Sequence, residues 1–186
     1  MAGTTKTGFG KRGNRLRPLV WGGAALLLAL PAVAMRLRLG GVDWTAADFA
    51  VFGAMLVVAC GLYEVAARVS GEAWHRAGAG IAIASGFLTA WANLAVGMVG
   101  SEANPFNLLF AGVLGIALAG ALQAKPRAAG LARAMLATSF AQALVAAAAF
   151  AIGGDPRGAS LSALFVAPWL LAAVLFRRSA RAAMGA

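Results

Sequence analysis

Apolar residues along this chain fall into long blocks, each closed by a few glycines, prolines or charged residues. The blocks run from about Leu19 to Met35, Ala47 to Val69, Ala77 to Val99, Phe106 to Ala124, Ala128 to Ile152 and Ser160 to Phe176. Each is close to the roughly 20 residues that one helix needs to cross the hydrocarbon core of a bilayer. The links between them are too short and too polar to fold separately. The pattern therefore predicts an all-α protein, a compact bundle of six transmembrane helices. A basic tail over 1–17 is expected to be disordered. The helical domain is expected over 18–178, with a short second tail over 179–186.

The turn signals agree with these spans. Gly40-Gly41 precedes a helix start at Val42-Asp43-Trp44-Thr45, where Asp43 or Thr45 is placed to cap and Asp48 suits the positive end of the helix dipole. Trp44 suits an interfacial aromatic belt. Lys125-Pro126-Arg127 and Gly153-Gly154-Asp155-Pro156 read as turns. Pro31 should kink or end the first helix, and Pro168 should bend the last. The first block also ends in Ala32-Val33-Ala34 after a basic tail, which are the parts of a cleavable signal peptide. Retention as an anchor is the other reading.

Charge adds orientation. Net charge is +10, from 16 Lys and Arg against 6 Asp and Glu. In a soluble chain that balance would suggest nucleic acid; here the cations flank apolar blocks, and no nucleic-acid partner is expected. With the N-terminus inside, the inner segments hold Lys6, Lys11, Arg12, Arg15, Arg17, Arg68, Arg76, Lys125, Arg127, Arg133, Arg177, Arg178 and Arg181. Only Arg36, Arg38 and Arg157 fall outside. The positive-inside rule then gives an N-in, C-in topology. The Ala, Gly and Arg usage suits a bacterial inner membrane, with the lipid bilayer as the first partner and anionic lipids at the basic tail. Small residues at Gly53 and Gly61, and at Ala111, Gly115 and Ala119, suit close helix packing, and a homo-oligomer or a membrane-protein partner is compatible with them.

Candidate chemistry is sparse. Glu64 and Arg133 are ionisable groups inside spans, which are costly and therefore functional candidates, or else a mutually neutralising pair. Asn93 and Gln142 are placed for interhelical hydrogen bonds or for solute contact. At the outer face Asp48, Glu102, Asn104 and Asn107 could converge into an oxygen-rich cluster, although helix caps use the same residue types. Cys60 reads as a small buried hydrophobe. His75, the single histidine, reads as a headgroup contact. No catalytic set, no metal site and no cofactor motif stands in the sequence, so an enzyme is not expected.

The segments VDWTAADFAVFGAMLVVACGLYE and WANLAVGMVGSEANPFNLLF carry a W-x3-DF start, a YE pair and an NLAVG-x2-GSE-x-NP-x-NL run. These resemble a family of small bacterial integral membrane proteins, over roughly Leu27 to Arg133. The matching positions are Asp48, Tyr63, Glu64, Trp91, Asn93, Glu102, Asn104, Pro105 and Asn107. The chain departs from that pattern at Arg36-Leu37-Arg38-Leu39-Gly40-Gly41, where a more acidic segment belongs. The resemblance implies several membrane helices and no assigned activity. The expected role is structural, accessory or stress-related. A small transporter or channel for protons, cations or a polar solute is the alternative.

Overall fold

The computed structural model describes residues 16–152 and 155–185. Residues 1–15, most of the basic tail, and Gly153-Gly154 lie outside the described residues. The chain forms α1 (Arg17–Arg36), α2 (Ala46–Val69), α3 (Ala73–Ala95), a 3-10 turn (Pro105–Asn107), α4 (Leu108–Ala124), α5 (Ala128–Ile152), α6 (Pro156–Leu164) and α7 (Val166–Ala182). Among the described residues six helical segments are long and apolar enough to cross a membrane, with α6 and α7 together making the last. The molecule is an all-helical, compact bundle with the make-up of a multi-pass membrane protein.

Three helices form the centre. α5 and α7 pack most extensively, α3 lies against α7, and α4 lies against α5. α2 packs on α3, and α1 packs on α2 at the periphery. The reason is residue size. Ala79 on α3, Ala132, Ala134 and Met135 on α5, and Ala172 and Ala173 on α7 let the backbones close around the rings of Trp169 and Phe176. Lipid is as apolar as leucine, so such close contact takes the place of water exclusion as the driving force. Gly78 gives one example, because a Cβ there would sit 3.2 Å from the Phe176 ring. Not every expected small-residue face is used this way. Gly61, Gly112 and Gly115 meet nothing within 4 Å, whereas Gly120 abuts Ala134 and Gly53 touches Leu28.

Three boundaries differ from the sequence expectation. α1 continues through Pro31 to Arg36, so the proline does not end it. The third span stops at Ala95 rather than Val99, and the following residues form a loop. The sixth span starts at Pro156 and breaks between α6 and α7. Pro168 has no N–H to offer Leu164 and its ring crowds that carbonyl, so regular helix fails one turn upstream. There Phe165 N–H donates instead to the Ser162 carbonyl, three residues back, at 3.2 Å. α7 then runs to Ala182 with Ser179 buried, so 179–182 belong to the helix and not to a tail.

Candidate functional site

The loop between α3 and α4 is the most constrained irregular segment described. Val96 to Asn104 leaves helical geometry at two glycines, Gly97 and Gly100, both with φ of +73°. A side chain at Gly97 would also strike the Ser101 backbone, 2.5 Å away. The turn folds Met98 and Val99 inward, where they are buried with Phe110, Ala149 and Ala159. Buried backbone needs partners, and far more so near lipid. Asn107 supplies them. Its Oδ1 accepts the N–H groups of Met98 at 3.1 Å and Val99 at 3.0 Å. Its Nδ2 donates to the carbonyls of Ser101 at 2.7 Å and Val99 at 3.4 Å.

Asp155, the cap of α6, ties the same loop from the other side. One carboxylate oxygen accepts the Arg157 and Gly158 N–H groups at 3.1 Å each, and the other accepts Gly100 N–H at 2.9 Å. The Gly100 N–H, then that of Gly158, hold the Asp155 carboxyl below its ordinary 3.8; partial burial opposes them and the Arg157 N–H and charge add to them. Gly158 makes the close approach possible, because a Cβ there would lie 2.5 Å from the Met98 carbonyl and 3.0 Å from Val99 Cα.

The expected outer cluster does not assemble as one oxygen-rich site. Asp48 is exposed and closes a capping box with Thr45 at the start of α2. Asn104 caps the 3-10 turn by accepting Phe106 N–H at 3.0 Å. Glu102 is exposed, and Asn107 is buried in the loop. Asp48, Asn104 and Asn107 each serve nearby backbone N–H groups. Asn93, half-buried, donates to the Asn107 carbonyl at 3.4 Å. Two residues earlier on α3, the Trp91 ring packs at a tilt against Phe52 at 4.4 Å and Trp44 at 5.3 Å between ring centres.

Glu64 and Arg133 do not pair. Glu64 instead takes Arg17 at 2.7 Å, Arg68 at 3.0 Å and the Trp21 indole N–H at 2.7 Å. Its position explains this: α2 packs chiefly on α3 and α1. The carboxylate therefore docks the start of α1, and Cys60, buried one turn away, faces the Val20 carbonyl. Arg133 lies on α5 in a groove against α7, beside Arg177 and Arg181.

Gln142 is fully buried and reaches the broken sixth span, with Nε2 donating to the Ser162 carbonyl at 3.0 Å and the Ser162 hydroxyl at 3.2 Å. Ser139 donates to the Val166 carbonyl at 3.2 Å. Thus α5 supplies donors on both sides of the α6–α7 break.

At the opposite end of the bundle from Asp155, Glu72 caps α3 through the N–H groups of Trp74 and His75. Burial pushes its carboxyl up, but the Ser179 hydroxyl, those two N–H groups and the nearby His75 together hold it below the ordinary 4.5. His75 is not at the headgroup surface. It is buried, edge-on to Phe176 with ring centres 5.3 Å apart.

Asn107, Asp155 and Gly158 act together as one clamp, and its trace along the chain is the pair of glycines in the NLAVG-x2-G run. Among the described residues no group of three His, Cys, Asp or Glu side chains is placed to hold a metal ion. No family model, curated protein or solved structure matches this chain.

Proposed function

We propose that this chain is a structural or accessory component of a bacterial cytoplasmic membrane, with the start of the first helix and the end of the last on the cytoplasmic side. In this reading it is not an enzyme, and its partners are lipid and either a second copy or another membrane protein. One observation carries the reading: most of the candidate polar side chains, Glu102 and Arg133 apart, bond to the protein's own backbone and helices. The Asn107 carboxamide is engaged at both ends by one loop, and Glu64 binds two arginines and an indole. Groups so occupied hold a shape rather than exchange a solute or proton. The thirteen-to-three partition of cations supports the orientation.

A second reading, a small transporter for protons, cations or a polar solute, has one observation in its favour. Thr89 Oγ1, Gln142 Oε1 and Trp169 Nε1 are buried on the three central helices without a hydrogen-bond partner among the described residues. Buried polar atoms of this kind are costly unless something binds them.

Flux separates the two. The purified chain in proteoliposomes, under imposed proton and potassium gradients, is expected to leak no faster than protein-free vesicles. Flux above that background, abolished by Gln142→Leu or by Glu64→Gln, would overturn the accessory reading in favour of transport.

A further inference from the structure

The arginine-rich end of the bundle contains cations of two kinds. Arg17 and Arg68 are neutralised by Glu64, and the Arg178 guanidinium lies 5.1 Å from the centre of the Trp74 ring. Arg133, Arg177 and Arg181 have no such acidic or aromatic partner among the described residues, and all three are exposed. They line one groove of about 550 Å³ between the start of α5 and the end of α7. The rest of its lining is apolar, with Ala132 between the helices and Leu136 and Met184 toward its edges.

This arrangement is unfavourable by itself. Arg177 and Arg181 stand four residues apart on one helix face, where like charges repel. Arg133 adds a third cation from the facing helix. The six acids of the chain are committed elsewhere or stand apart: Glu64 to Arg17 and Arg68, Glu72 to the start of α3, Asp48 and Asp155 as caps, and Asp43 and Glu102 exposed in links. An anion from outside the chain removes the repulsion. The groove also says which anion. Arg133 lies within a membrane-spanning helix, so its long stem lies along apolar surface while its head reaches toward the interface. Leu136 continues the same strip deeper along α5. The occupant must therefore join a negative head at the surface to an apolar tail below it.

We propose that the α5–α7 groove is a binding site for an anionic glycerophospholipid. Arg133, Arg177 and Arg181 hold its phosphate, and an acyl chain lies along Ala132 and Leu136. Guanidinium groups suit this task because their paired N–H donors match phosphate oxygens. Basic pockets between membrane helices on the cytoplasmic side recognise anionic headgroups by the same chemistry. The site differs from diffuse attraction to a basic tail because it joins charge to a shaped apolar floor.

The full chain in nanodiscs of mixed phosphatidylglycerol and phosphatidylcholine, released into a native mass spectrometer, reports which lipid stays bound. The expected result is preferential retention of phosphatidylglycerol. That preference should fall roughly fivefold for each arginine replaced across R133Q, R177Q and R181Q. Replacing Lys6, Lys11, Arg12 and Arg15 by Gln should leave it unchanged. Retained preference in the triple variant, or its loss in the tail variant, would overturn the proposal. So would displacement of the retained lipid by excess inorganic phosphate, which would make the site one for free phosphate. Because substituted chains can misfold, a photoactivatable phosphatidylglycerol tests the unaltered protein. Crosslinks concentrated on the peptides of Leu136 and Met184 support the site, and crosslinks spread evenly over the lipid faces of α1 and α2 refute it.

Discussion

The side chain of Asn107 and the backbone of Val99 bind each other twice: Asn107 Oδ1 accepts the Val99 N–H at 3.0 Å, and Asn107 Nδ2 donates to the Val99 carbonyl at 3.4 Å. A carboxamide presents a donor and an acceptor side by side, as the N–H and C=O of one extended residue do, so it can stand in for a neighbouring strand or turn. With Val99 fully buried, this pairing lets an irregular loop lie inside the bundle.

Asn107→Ala should therefore leave the Met98 and Val99 N–H groups without partners and take from the Ser101 carbonyl one of its two donors, the Asn104 N–H remaining. A loss of about 2 kcal/mol is expected, since unmade buried hydrogen bonds cost their full desolvation. Asn107→Asp keeps the acceptor but cannot donate to Ser101, and should fall between. Denaturant unfolding in detergent measures the order. A wild-type midpoint for Asn107→Ala would mean that the loop is held by packing alone.

Gly158→Ala tests the same clamp from α6. The added methyl meets backbone of Met98 and Val99, which cannot rotate away as a side chain can. Overpacking of this kind costs about 1–3 kcal/mol. Gly115→Ala is the matched control, because its Cβ would meet nothing within 4 Å. It should be neutral or slightly stabilising, given the better helix propensity of alanine.

Acid should loosen the loop. The Asp155 carboxyl is held below its ordinary 3.8, so the folded state binds its proton less readily than the unfolded chain does. Its contribution to stability is then complete above that ordinary value. It fades as pH falls from there through the lowered folded value. Glu72, also lowered from 4.5, adds a loss of the same sign at the other end of the bundle. Melting temperature against pH should drop in the acid range for the wild type and less steeply for Asp155→Asn, which should already melt lower at neutral pH. Parallel curves would rule out Asp155 as a source of the acid sensitivity.

The apolar blocks gave away six spans because crossing a bilayer demands length and hydrophobicity, and both are sums along the chain. What lies across the chain was harder to read. Glu64 and Arg133 share a depth, but depth says nothing about which helices are neighbours, and α2 turns out to face α1. Met98 and Val99 are as apolar as the helix before them, so hydropathy extends the third span over them. Only the two positive-φ glycines, Gly97 and Gly100, mark the loop. Asp48, Asn104 and Asn107 were readable as capping types, yet cap and clamp use the same side chains. The difference is made by Asp155 and Gly158, more than forty residues away in sequence.

Gln142 offers the last test, because it joins two questions. It reaches across from α5 to the break in the sixth span and donates to Ser162 twice. Gln142→Leu removes both bonds while keeping volume, and should cost about 1 kcal/mol, in line with interhelical hydrogen bonds measured in membranes. Gln142→Glu keeps the shape but replaces the amide donor with an acid at a fully buried position. It should cost more than the leucine, since a buried carboxyl must stay protonated or seek a cation. Unfolding of both variants in detergent, beside their proton flux in proteoliposomes, reads the two roles together. Loss of stability in that order with flux at background is the result expected of a strut. A well-folded Gln142→Glu that conducts protons would make the same residue part of a path.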